Sequence, residues 1–486
     1  MVAGCATLRV RSTERAPRSV IQLPSSSPLV RAARLVLLLG VVAVATVCLS
    51  ASEHIAPRIR NAILILVDTL RADHLELYGY ERHTSPNLTA VSRSAVVFER
   101  ARNQAPCTFP SVDSLLTSRH PVWFTGQEAN RMGIPEQVPS IAEILGAHGV
   151  TSHAVSASAI VRATPSRFNP DAGFGRGFAT FDERCLDQAA DCVNGRAFPR
   201  LPTSESAPSF LYLHYIDPHG PYRPPVKYRR RFAKRGHPDA LITRADPVEI
   251  EPLLVLPQGT GAKALPPGAV QHLIDLYDDE IGFWDLQLSR LFRRLEASGA
   301  LADTIVVLAA DHGEGFLEHG TMVHCRSLYD NEIRTPLVMW IPGVRGRRIA
   351  PPVENLDIVP TVLDYLGIPA NGLEGVSLRP LIESRSAPAR RLAHSFHVNL
   401  RSVNDHRHKR VLDVVTGDEK VFDLEADPGE TVDLAVRDGS GQDVAPDLAA
   451  DLRRWIERNE GPDGASRSAE QAGGAIERLR ALGYIH

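Results

Sequence analysis

The 486 residues include 43% hydrophobic and 23% charged side chains, enough apolar mass for a large buried core and unlike a disordered or collagen-like chain. A formal net charge of −3 gives no basic footprint for nucleic acid, and no repeat recurs at a solenoid or propeller period.

The N-terminus is basic. Arg9, Arg11, Arg15, Arg18, Arg31 and Arg34 face a single acid, Glu14, before an uncharged apolar run over 35–51. This reads as a signal peptide or a membrane anchor: the arginines stay cytoplasmic and everything after the run is exported, to the periplasm or the cell exterior. Export permits disulfides, and four cysteines remain beyond the leader: Cys107, Cys185, Cys192 and Cys325. Cys185 and Cys192 are close together in a polar loop and are expected to pair. The organisation expected is a leader over 1–52, a catalytic domain over 58–385 and a C-terminal subdomain over 386–486.

NAILILV, 61–67, reads as a fully buried parallel strand that delivers Asp68 at its carboxyl end, where open α/β sheets bind ligands. QAPCTFPSVDSLLTSR, 104–119, offers a hydroxyl at the start of a helix. Pro110 suits the first helical position and Thr108 is the candidate nucleophile, beside the positive end of the helix dipole. Alone, that stretch reads better as a buried helix with a polar cap. Residues 137–149 follow as an amphipathic helix ended by Gly149, and VTSHAVSAS as a strand.

A second buried strand, SFLYLHYIDPHGPY over 209–222, runs into His214, Asp217 and His219. Residues 223–266 are basic, then Pro-rich, and read as a surface excursion in which Arg229–Arg231 form a solvated face. A long amphipathic helix over 268–298 ends at Gly299. DTIVVLAADHGEGFLEHG, 303–320, then repeats the earlier pattern, a buried strand delivering Asp311 and His312. One more strand covers 335–341 and a helix 357–366. Short strands over 392–424 predict a small antiparallel sheet, and the chain closes with helix, a Gly/Ser-rich stretch and a short final helix.

Asp68, Asp311 and His312 converge if their strands are neighbours. Two carboxylates and an imidazole make a site for one divalent metal ion, with a place left for the Thr108 oxygen. Metal coordination is one way to activate a threonine hydroxyl, which is a poor nucleophile unaided.

These residues, in this order, resemble a known family. VDTLRADHLELYGY, TFPSVDSLLTSRHP, HYIDPHGPY, DHGEGFLEHG and HCRSLYDNEIRTPLVMWIPG look like the sulfatase branch of the alkaline-phosphatase-like superfamily. KVFDLEADPGETVDLA and ERLRALGYI are similar to its C-terminal subdomain and terminal helix. The likeness runs from about Asn61 to His486, leaving out 223–266. It implies an α/β/α sandwich around a large, mostly parallel sheet, with a small C-terminal antiparallel sheet.

The resemblance also assigns roles. Asp68, Asp311 and His312, with Thr108, fall on metal positions; His219 falls on the histidine that contacts the transferred group; His214 and His319 fall on neighbouring substrate positions; and His324 lies near a substrate-contacting lysine or histidine. Thr108, His219 and His324 are thus the catalytic candidates. His312, where many sulfatases have asparagine, favours Zn²⁺ or Mn²⁺ over Ca²⁺, with Ca²⁺ and Mg²⁺ both still compatible.

The chain departs from the family at the nucleophile. Formylglycine enzymes present Cys-x-Pro-Ser-Arg, whereas here Pro110 and Ser111 put Thr108 at the cysteine position and Val112 at the arginine. Formylglycine is therefore not expected, and Cys107 becomes a small buried residue or a partner of Cys325. A threonine ester must be resolved by water or another acceptor. With fewer fixed positive charges, a sulfate monoester or phosphate diester is favoured over a doubly charged phosphate monoester.

The expected activity is metal-dependent hydrolysis of a small-molecule, glycan or lipid ester of sulfate or phosphate through a covalent intermediate. One alternative is a membrane-anchored phosphotransferase acting on a lipid or glycan. The other is a catalytically retired binding protein.

Overall fold

The computed structural model describes residues 58–122, 133–166, 168–203, 205–229, 231–232, 268–384, 391–437 and 443–460. Its centre is an eight-stranded sheet of β1 (Asn61–Val67), β2 (Val96–Phe98), β3 (Thr151–Ser156), β4 (Phe178–Asp182), β5 (Ser209–Tyr215), β6 (Thr304–Ala310), β7 (Leu337–Trp340) and β8 (Arg347–Ile349). The spatial order is β8-β2-β7-β6-β1-β5-β3-β4. Only β7 among these eight runs against the rest, antiparallel to both β2 and β6. β1, at the middle, pairs in parallel with β5 and β6.

Because both faces are covered, β1 and β6 are continuously apolar and buried along their length. Successive side chains enter opposite layers. Ala62, Leu64 and Leu66 join one core, with helices α1 (Thr108–Thr117), α2 (Ile141–Ala147) and α5 (Ile358–Leu366). Ile63, Ile65 and Val67 join the other, against α3 (Ala190–Ala197) and the long α4 (Ala269–Ala297). The result is the α/β/α sandwich expected.

The sequence signals for helix ends mostly act as they read. Ser140 and Glu143 form a capping box at the start of α2, and Gly299, with φ 70°, follows α4. One position differs: α1 begins at Thr108, so Pro110 is its third residue rather than its first. The reason is that the first helical amides need no intrahelical partner, so proline is tolerated through the first turn. The first i to i−4 bond is donated by Ser111 to the Cys107 carbonyl at 3.1 Å.

The C-terminal antiparallel sheet is also present, as β9 (Ala393–His397), β10 (Leu400–Asn404), β11 (His408–Asp413) and β12 (Glu419–Asp423), packed against α6 (Pro446–Glu460). Lys409 on β11 is fully buried between Asp330 (2.9 Å) and Glu430 (2.8 Å), and Asp330 also takes Arg102 at 2.7 Å. Among the described residues no helix is long and apolar enough to cross a membrane. The leader with its apolar run at 35–51, most of the 223–266 excursion, the Gly/Ser-rich stretch and the final helix lie outside the described residues.

Candidate active site

The convergence of the polar groups follows from strand alternation. Leu66 of β1 pairs with His214 of β5 and with Ala309 of β6. Leu66, Ala309 and Tyr212 all face the α1 layer, and side chains two residues on return to the same face. Asp68, Asp311 and His214 therefore arrive together, beside the start of α1. Metal-binding atoms of these three lie within 4.8 Å of one another.

His312 and Thr108 complete the group. His312 Nε2 is 3.7 Å from Asp68 Oδ1, 3.6 Å from Asp311 Oδ2 and 3.0 Å from Thr108 Oγ1. His214 Nε2 is 3.6 Å from the other Asp68 oxygen. All five side chains are buried. Asp68 Oδ1, Asp311 Oδ2 and His214 Nε2 have no hydrogen-bond partner among the described residues. Buried polar atoms left this way normally signal a missing ligand.

The backbone holds these groups tightly. The N–H groups of Thr69 (3.2 Å) and His312 (2.9 Å) both donate to Asp311 Oδ1, and the Ser111 hydroxyl donates to the Asp311 carbonyl, tying α1 to the end of β6. Thr69 adopts φ 55° as the chain turns out of β1. Gly313 is required by a close approach: a Cβ there would come within 2.1 Å of the Asn331 carbonyl oxygen.

Four imidazoles have Nδ1 occupied. His312 Nδ1–H donates to the Gly313 carbonyl at 2.9 Å and His219 Nδ1–H to the Gly220 carbonyl. His324 Nδ1 lies 3.0 Å from Glu314 Oε1, whose second oxygen accepts from the Tyr222 hydroxyl at 2.9 Å. The His324 ring centroid is 4.5 Å from that of His312 and 5.1 Å from that of His219. His214 Nδ1 is fixed by the Tyr212 hydroxyl at 2.8 Å.

Burial opposes ionisation of Asp68, but the charge of His219, the nearby His214 and the charge of His312 outweigh it and hold this carboxyl below its usual range. Burial, then the Asp68 charge, pushes Asp311 up to about 7. Burial likewise lowers His312. His219 is raised against the effect of burial by Asp68 and Glu314. Two carboxylates this close resist joint ionisation without a cation between them.

The structure thus gathers Thr108, Asp68, Asp311, His312, His214, His219 and His324. His214 lies on β5, one residue before its end, which makes it a neighbour of Asp68. His319 is not in this cluster: it stacks on Tyr329 at 3.6 Å, and Tyr329 lies against Phe422 of β12. Cys107 is bonded to Cys325, and Cys185 to Cys192. Sequence reading missed Glu314, Tyr222 and Tyr212. The only signal for Glu314 was its place two residues after His312.

Comparison with known proteins places the chain in a family. The family model "Sulfatase" matches residues 60–368, and the model "N-sulphoglucosamine sulphohydrolase, C-terminal" matches residues 317–458. The arylsulfatase of Clostridium perfringens is 27% identical over 251 residues, covering 47% of this chain and 50% of that protein, so the chain spans about half its length. A sulfatase of Formosa agariphila is 24% identical over 424 residues, covering 77% of this chain and 83% of that protein. In fold, the phosphonate monoester hydrolase of Agrobacterium radiobacter superposes with a TM-score of 0.63 at 20% identity, over 85% of this chain and 96% of that one. The chain belongs to the sulfatase family.

Proposed function

We propose that this protein hydrolyses a singly charged ester, a sulfate monoester, a phosphate diester or a phosphonate monoester, through a covalent ester on Thr108. The observation that carries this reading is the 3.0 Å approach of Thr108 Oγ1 to His312 Nε2, next to buried oxygens of Asp68 and Asp311 that lack hydrogen-bond partners.

The residues fit a divalent ion. Ligands about 2.0 Å from a tetrahedral metal stand about 3.3 Å apart, and the Thr108–His312, His312–Asp311 and His312–Asp68 separations are 3.0, 3.6 and 3.7 Å. Asp68, Asp311, His312 and Thr108 would hold the ion, with His214 as a further nitrogen on the Asp68 side. The mixed nitrogen and oxygen set favours Zn²⁺ or Mn²⁺ over Ca²⁺ or Mg²⁺. Bound there, the ion supplies a Lewis acid that activates the hydroxyl and screens charge on the transferred group.

The chain's own residues do the rest. Thr108 Oγ1, its proton released to water, attacks sulfur or phosphorus as the bond to the leaving oxygen breaks, with the N-terminal dipole of α1 beside the gathering charge. His219 or His324 gives a proton to that oxygen from Nε2, since Nδ1 of each is already engaged. Water then attacks the ester, the Oγ1 bond breaks, and Thr108 regains a proton. Cys107 takes no part as a formylglycine source, because its sulfur is bonded to Cys325.

The test is a panel of aryl sulfates, phosphate diesters and phosphonate esters, assayed with metal analysis and with candidate acceptors present or omitted. T108A is expected to lose turnover by on the order of 10³ or more while keeping its fold. Full activity in that variant would remove Thr108 from the mechanism.

A further inference from the structure

Glu314 is fully buried, and it reaches two groups that line the site from separate parts of the chain. One oxygen meets His324 Nδ1 at 3.0 Å, and the other accepts from the Tyr222 hydroxyl at 2.9 Å. Its own backbone is anchored as well: its carbonyl accepts from Arg71 at 2.9 Å and its N–H donates to the Asn331 carbonyl at 3.0 Å. His324, held this way, sits one ring away from His312 and therefore two groups away from the Thr108 hydroxyl. A carboxylate bonded to one imidazole nitrogen fixes the tautomer and the plane of the ring, and so decides which atom meets the substrate.

We propose that Glu314 is a positioning residue which orients His324, in preference to His219, as the donor to the leaving oxygen. This rests on the reading of Thr108 as nucleophile given above. In the step concerned, the bond from Thr108 Oγ1 to sulfur or phosphorus forms while the bond to the leaving oxygen breaks. Thr108 enters the step as the alkoxide, its proton released to water, and His324 as the imidazolium with Nδ1–H on Glu314; the Nε2 proton passes to the leaving oxygen, the product alcohol departs, and the ring remains as the neutral Nδ1–H tautomer hydrogen-bonded to Glu314. Tyr222 holds the second carboxylate oxygen, so the carboxylate cannot rotate away from the ring.

The proposal is tested by how turnover depends on the leaving group. Aryl esters of one class, spanning acidic to weakly acidic phenols, are assayed with wild type, E314Q, H324A and the double variant. A good leaving group needs no proton, so E314Q is expected to lose about 100-fold in kcat with the least acidic phenols and little with the most acidic, with KM nearly constant. The double variant is expected to be no slower than H324A, because both changes remove one function. E314D, which keeps a buried carboxylate but shortens its reach, is the second variant should E314Q fold poorly, and the same slope change is expected from it. An equal loss across the panel, or full additivity of E314Q with H324A, would overturn the proposal. A wild-type enzyme inert toward every ester would instead overturn the reading of the site on which it rests.

Discussion

Two histidines that sequence similarity treats alike stand in different surroundings, and this separates their expected effects. His214 is fully buried, its Nε2 faces Asp68 and its Nδ1 is fixed by Tyr212. His319 is partly exposed and stacks on Tyr329. Replacing His214 with Gln is expected to weaken Zn²⁺ or Mn²⁺ retention about 10–100-fold, read by competition with a chelating dye. Replacing His319 with Ala is expected to leave metal retention within about threefold of wild type. Comparable loss in both variants would show that the placement of His214 next to Asp68 has no bearing on the ion. The sequence alone placed Asp68 and Asp311 at the carboxyl ends of two buried strands; that they meet depends on β1 and β6 being neighbours. The role of His214 was hidden because it depends on β5 pairing with β1 in a register that sets His214 against Leu66. Glu314 was hidden for a similar reason, since one partner, Tyr222, lies 92 residues away and the other, His324, meets it only once the ten residues between them have turned back.

The two disulfides look alike in composition but tie very different elements. Cys185–Cys192 has a sequence separation of 7 and ties a loop to the first turn of α3, whereas Cys107–Cys325 has one of 218 and fastens the residue before the nucleophile to the residue after His324. Cys325 N–H also donates to the Pro106 carbonyl at 3.0 Å, so the start of α1 and the His324 loop are joined twice. In the loop-entropy model, removing the long crosslink costs up to about 5 kcal/mol and the short one about 2 kcal/mol. The expectation is a larger drop in denaturant midpoint for C107A/C325A than for C185A/C192A. Turnover, measured where both variants are fully folded, should fall only in the first, because a misplacement of about 1 Å costs about 100-fold. Equal turnover in the two would show that the link near Thr108 serves stability alone. The pairing of Cys185 with Cys192 was legible from proximity in sequence. That of Cys107 with Cys325 was legible only as one of two alternatives, because nothing local reports which loops meet above a sheet.

At the scale of the whole molecule, buried acids make stability depend on pH in an unusual direction. Burial pushes Glu332 and Asp217 up to about 7, and Asp285 to about 6. Each binds its proton more tightly when folded than when unfolded, where carboxyls titrate near about 4. Their contribution is complete below about pH 4 and is lost as pH rises through 6 to 7. Asp73 and Asp330 behave oppositely. Burial opposes their ionisation, but Arg71 beside Asp73 and Arg102 with Lys409 beside Asp330 hold both below the usual range. Their contribution is present above about pH 4 and is lost as pH falls below it. The two trends cross, so the chelator-treated protein is expected to be most stable between about pH 4 and 5 and to lose on the order of a few kcal/mol by pH 7.5. Urea midpoints across this range give the profile. The Glu332→Gln variant isolates one contributor: it keeps a polar group against Ser327 and the Arg326 amide but cannot ionise, so its decline toward pH 7.5 should be shallower than that of wild type. A stability that climbs steadily from pH 5 to 8, with no flattening in E332Q, would mean that these carboxyls are ionised in the folded chain and that their burial is offset by partners stronger than the hydrogen bonds described.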